Sequence, residues 1–110
     1  MIIELRHDIK GAFGETYVEE RTTCTDDETV KLALNTLRRE RNAVMWIEEV
    51  GDVNDSGSIT GICVSWETFA DYDAKQVLVT TYYGAGNISD YEYMDWNRAR
   101  NYLKKFIKNA

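Results

Sequence analysis

The chain has 110 residues, 44% hydrophobic and 12% aromatic, with 13 Lys and Arg against 19 Asp and Glu for a net charge of −6. That length suits one domain with one core, and aromatic and β-branched residues spread along it argue against disorder. The acidity argues against direct binding to nucleic acid, and no run approaches the roughly 18 apolar residues of a membrane span.

Residues 1–8 carry charge by Glu4 and lack the basic and apolar regions of a secretory signal, so a soluble cytoplasmic protein is expected. In a reducing compartment Cys24 and Cys63 are expected to be free. Residues 2–10 alternate, with Ile3, Leu5, His7 and Ile9 on one face and Glu4, Arg6, Asp8 and Lys10 on the other, the mark of a half-buried strand. Gly11-Ala12-Phe13-Gly14 offers a turn, and residues 15–23 read as a more polar edge strand, completing a hairpin. Thr25 then caps a helix, with Glu28 completing a capping box. Val30, Ala33, Leu34 and Leu37 form its apolar stripe, and Leu32 lies opposite.

Residues 43–47 read as a buried strand and residues 51–57 as a loop. Residues 58–69 are the best candidate for the central strand. Ile62, Val64 and Trp66 point one way and Ile59, Cys63 and Phe69 the other, so it is expected to be covered on both faces. A polar link around residues 71–75 leads to a further strand at 76–83. Gly84, Ala85, Gly86 and Asn87 break the chain. Ser89 or Asp90 then caps a last helix reaching about residue 108, with Tyr91, Trp96, Ala99, Tyr102, Leu103, Phe106 and Ile107 on its apolar side and Met94 off it. The expected fold is a single α+β domain in the order ββαβββα. A hairpin and a three-stranded antiparallel meander are packed by two helices, with Trp46, Ile62, Val64, Trp66 and Val79 in the core.

Conventional chemistry finds little support. Asp52-Val53-Asn54-Asp55-Ser56-Gly57 resembles the opening of an EF-hand loop, but Cys63 stands where the bidentate glutamate belongs, so no calcium is expected. His7 is the one histidine and the one conventional base for a nucleophile, yet its alternation with Ile3, Leu5 and Ile9 suits a structural role. The turn from Gly84 to Asn87 precedes a helix after a strand, a context for anion binding, without the rest of a nucleotide fingerprint. No cofactor, metal site or catalytic residue is expected.

The charge layout is more informative. Between residues 48 and 95, ten acids face one base, Lys75, while residues 96–110 carry five bases and no acid. An acidic region of this kind attracts a basic partner and speeds encounter, and neighbouring tyrosines are good interface material. The bland alternative is an acidic surface that only solvates the fold. Glu48, Glu49, Asp52, Asp55, Asp71, Tyr72, Asp73 and Asp90 are the candidate partner-binding residues. In size, acidity and lack of catalytic groups the chain looks like small inhibitor proteins, such as phage-encoded anti-CRISPR proteins and nucleic-acid mimics. That is a resemblance of properties, not of residues. It implies a non-enzymatic inhibitor of a basic nucleic-acid-handling protein. An immunity protein against a toxin nuclease would carry the same acidic face. A small enzyme or ligand-binding domain would use a pocket near His7 or the turn from Gly84 to Asn87.

Overall fold

The N-terminal alternation becomes strand β1 (Ile2–Lys10), and the chain returns antiparallel as β2 (Thr16–Cys24). The turn between them closes on a 3.1 Å hydrogen bond from the Gly14 amide to the Gly11 carbonyl. Gly14 holds φ at 84°, a left-handed conformation that glycine adopts without a Cβ clash. The computed structural model describes residues 2–54, 57–66, 76–84 and 89–107.

Helix α1 (Asp27–Arg39) follows. Its cap is Asp26 rather than Thr25. The Asp26 carboxylate accepts from the Thr29 amide at 2.8 Å, and the Asp26 amide donates to the Thr29 hydroxyl at 3.1 Å. Moving the capping box by one residue leaves Asp27 and Glu28 in the first turn, where the helix dipole favours them. The stripe Val30, Ala33, Leu34 and Leu37 is buried, and Leu32 is exposed as its position on the wheel requires.

Four strands come next, β3 (Ala43–Asn54), β4 (Gly57–Trp66), β5 (Val77–Tyr83) and β6 (Ser89–Met94), before helix α2 (Trp96–Leu103). The result is an α+β fold with one six-stranded sheet in the order β2-β1-β3-β4-β5-β6, every neighbouring pair antiparallel. The expected arrangement stands, with one more strand ahead of the last helix.

Two segments differ from expectation. The loop expected at 51–57 is largely strand, because β3 runs on to Asn54 and pairs Asp52 with Ser58 and Asn54 with Gly57. Cross-strand hydrogen bonding overrides the turn-like composition there. The opening of the expected last helix is β6 instead. Its alternation of Asp90, Glu92 and Met94 against Tyr91 and Tyr93 has period two, and it pairs with β5 from Val77↔Met94 to Tyr82↔Ser89. Tyr91 is therefore exposed and Met94 buried, the reverse of the helical reading. Helix α2 starts from Asp95, whose carboxylate accepts the Arg98 amide at 2.8 Å.

Both helices pack on one face of the sheet. Leu5, Met45, Val64 and Val79 stand in one cross-strand row on that face. They belong to one buried cluster with Leu37 of α1 and Ala99 and Leu103 of α2. Trp66 ties the two helices to the strand. Its Nε1 donates to the Leu37 carbonyl at 2.6 Å, its ring stacks on Trp96 at 6.2 Å, and the Arg41 guanidinium lies 3.8 Å over it. Ile59 also reaches this core, although its parity predicted the other face. A register shift between Ile59 and Gly61 in the pairing with β5 turns it over. Phe69 lies outside the described residues. The expectation that β4 is covered on both sides does not hold among the described elements, since both helices share the side of Met45 and Val64.

Candidate protein-binding face

The second face of the sheet follows from the same alternation. Where β1, β3, β4 and β5 turn aliphatic residues toward the helices, the intervening positions form the row Glu4, Trp46, Cys63, Thr80 and Tyr91. The next row is Arg6, Val44, Ser65, Leu78 and Tyr93. Trp46 stacks on Tyr82 with ring centroids 5.8 Å apart and planes 18° from parallel. Gly61 lies directly across from Tyr82, so no side chain stands between the two rings there. An added Cβ at Gly61 would sit 3.9 Å from the Tyr82 ring. Tyr91 and Tyr93 meet edge to face at 6.1 Å. Trp46 was expected in the core; it is only half-buried, because it points away from both helices.

Charge frames these rings. Arg6 lies 5.6 Å from the Trp46 ring centroid and pairs with Asp8 at 3.2 Å, and Arg21 pairs with Glu4 at 3.3 Å. Each described arginine on this face thus has its own carboxylate, and Glu48 is exposed with no ion pair among the described residues. The Trp46 Nε1 is enclosed without an acceptor among the described residues. Cys63 sits among these groups. Burial pushes its thiol up to about 11, with Arg6 pulling it down and Asp8 raising it. It is therefore a neutral, inert thiol at physiological pH.

The expected partner-binding residues are not all gathered. Glu48 stands in the row of Ile2, Gly61 and Tyr82 on the open face, whereas Asp90 pairs with Thr81 on the helix face. Glu49 and Asp52 lie within β3. Asp55, Asp71, Tyr72 and Asp73 lie outside the described residues. The strand ends that flank them are informative: Asn54 and Gly57 close one end of the sheet, whereas Trp66 and Val77 lie at the other. Successive hairpins of an antiparallel meander open at opposite ends.

His7 is half-buried on the helix face, with its Nε2 against the Glu40 carboxylate at the C-terminal end of α1. It faces Glu20 and Ala43 across the sheet, while Cys24 faces Ile3 four positions along β1, about 13 Å at strand rise. Cys63 is on the opposite face. His7 is thus brought to neither thiol, and both cysteines are free. Among the described residues no cluster of His, Cys, Asp and Glu is arranged to hold a metal ion, and no helix is long and apolar enough to cross a membrane. The turn from Gly84 to Asn87 is described only at Gly84.

Tyr82, Tyr91 and Tyr93 are among the tyrosines that the sequence offers as interface material, with Tyr72 and Tyr83, whereas Trp46 is expected in the core and is not joined to them. The available signal was Trp46 alternating with Met45 and Ile47, together with Tyr82 and Tyr91 at matching parity on later strands. Cross-strand register, which sequence does not supply, is what joins them. Comparison with family models, with curated proteins and with solved structures returns no match for the chain.

Proposed function

We propose that this chain is a non-enzymatic inhibitory binding domain that docks on a basic, nucleic-acid-handling protein through the open sheet face. The observation that supports this reading is the aromatic group on that face, Trp46 stacked on Tyr82 with exposed Tyr91 and Tyr93 beside them. Trp and Tyr dominate binding energy at protein interfaces, and a rigid sheet holds them in place at little entropic cost. The excess of acids between residues 48 and 95 supplies steering toward a basic partner and repels nucleic acid itself. A nuclease whose phosphate groove is lined by Lys and Arg is the kind of partner this chemistry fits.

The test starts from a pull-down in the native host, followed by calorimetry on the purified partner. Trp46→Ala and Tyr82→Ala are each expected to weaken binding by about 2 kcal/mol or more, the scale of a hot spot. Leu32→Ser, on the exposed side of α1, serves as the control and leaves affinity unchanged. The pairs Asp52→Lys with Asp55→Lys and Asp71→Lys with Asp73→Lys are expected to act unequally, because the strand ends flanking them lie at opposite ends of the sheet. Association should slow as salt rises. Unchanged affinity in both aromatic variants, or equal loss from Leu32→Ser, would remove the open face from the interface.

A further inference from the structure

On the helix side, a cleft of about 370 Å³ lies between β5, β6 and α2. This falls within the roughly 300–1,000 Å³ of small-ligand pockets. Its apolar lining comes from Val79 and Met94, both buried. Four hydroxyl-bearing residues join them, Thr81, Tyr83, Tyr91 and Tyr102. Thr81 is a buried polar residue, and its hydroxyl shares a 2.7 Å hydrogen bond with that of Tyr102. Oxygens in such a pair keep lone pairs free to accept from a further donor.

Two carboxylates complete the lining, and they differ. Glu92 is engaged by Arg98, whereas Asp90 forms no ion pair among the described residues. Desolvation, then Tyr102, then Asp90 raise the Tyr83 hydroxyl above its ordinary pKa, so Tyr83 stays neutral at physiological pH. The Tyr102 ring already carries a cation, with Lys105 Nζ 5.5 Å from its centroid. The cleft thus offers acceptors, aromatic surface, one uncommitted negative charge and an apolar wall.

We propose that this cleft binds an organic cation, an alkylammonium or guanidinium group on an apolar stem. Asp90 takes the charge, the hydroxyl oxygens of Tyr83 and the Thr81–Tyr102 pair accept N–H bonds, and Val79 and Met94 cover the stem. The same chemistry is carried by a free amine and by a lysine or arginine side chain of a protein. The site shares Tyr91 with the open face, but its charge-binding and apolar groups lie on the helix side of the sheet, away from Trp46 and Tyr82.

The test uses the isolated full chain and amide chemical shifts. The probes are agmatine, N-acetyl-arginine methylamide and N-acetyl-lysine methylamide, with N-acetyl-citrulline methylamide as the neutral isostere. Saturable shifts are expected at residues 79–83 and 89–94 with the cations and not with citrulline. Asp90→Asn, an exposed change that leaves the spectrum folded, is expected to weaken binding by about fivefold or more, since charge assistance roughly doubles such a hydrogen bond. Tighter binding of agmatine identifies a free amine as the natural class, and tighter binding of the capped amino acids identifies a protein side chain. Equal binding of the citrulline compound, an unaltered affinity in Asp90→Asn, or no saturable shift with any cation overturns the proposal. None of these results bears on Trp46 and Tyr82.

Discussion

The two faces of the sheet share strands and backbone hydrogen bonds yet do opposite things. On one, the row Leu5, Met45, Val64 and Val79 is buried. On the other, the row Glu4, Trp46, Cys63, Thr80 and Tyr91 mixes a charge, a half-buried ring, a thiol and an exposed ring. Full burial of an aliphatic side chain contributes about 1.5–3 kcal/mol, so most of the apolar stabilisation belongs to the helix face. The open face carries less of that burden, which leaves its side chains available for recognition. Within one face, too, the strands differ: the centre is aliphatic, and the outer strand β6 places Asp90 and Glu92 beside the cleft.

The sharpest way to break this contrast is at the two tryptophans. Trp66→Ala removes the Leu37 hydrogen bond, the Trp96 stack and the Arg41 contact together, and should cost about 3–5 kcal/mol in urea denaturation. A loss under about 1 kcal/mol would mean that β4 is peripheral. Second in size is the reactivity of Cys63. With its thiol held up to about 11 by burial, alkylation in a Cys24→Ser background should run about a hundredfold slower at pH 8 than for free cysteine. The rate should climb about tenfold per pH unit up to pH 11. A rate matching that of free cysteine would show that the open face does not enclose the thiol.

Trp46→Ala comes third. Its ring is half-buried, so about 1–2 kcal/mol is expected, below the Trp66 range, with the main effect on partner binding. A stability loss equal to that of Trp66→Ala would put Trp46 in a core of its own and end the distinction between the faces. The smallest effect concerns the start of α1. Hydrogen bonds from the Thr29 amide and hydroxyl, mainly the amide, hold the Asp26 carboxyl below its ordinary pKa. A lowered folded value adds stability above the unfolded pKa, and that stability is lost as pH falls through the folded one. Asp26→Asn keeps a capping side chain but cannot titrate. Its urea midpoint should therefore track the parent near neutrality and fall less steeply below about pH 4. An identical acid limb in both proteins would mean the cap does not report on acid unfolding.

Much of the molecule is legible in the sequence wherever a short-range rule decides. Alternation located β1, and the 0, 3, 4, 7 spacing of Val30, Ala33, Leu34 and Leu37 located α1 and its buried side. The two misread segments have one cause. Asp52 and Asn54 look like turn residues, and Tyr91 falls on the apolar side of a helical wheel, but both segments are strand because a neighbour of matching length pairs with them. The candidate site was less visible than the fold. Its acids were chosen by proximity in sequence, whereas Glu48 and Asp90 stand on opposite faces.

Composition and periodicity by themselves determined an acidic α+β domain, its hairpin, its first helix and the central place of Ile62, Val64 and Trp66. Only the tertiary structure decided that the sheet has six strands, that both helices share one face, and that Trp46 meets Tyr82 across Gly61. The reason is physical. Alternation assigns side chains to two faces, but which face is covered depends on where distant elements pack. Which residues meet depends on a register that a single bulge, such as the one between Ile59 and Gly61, resets.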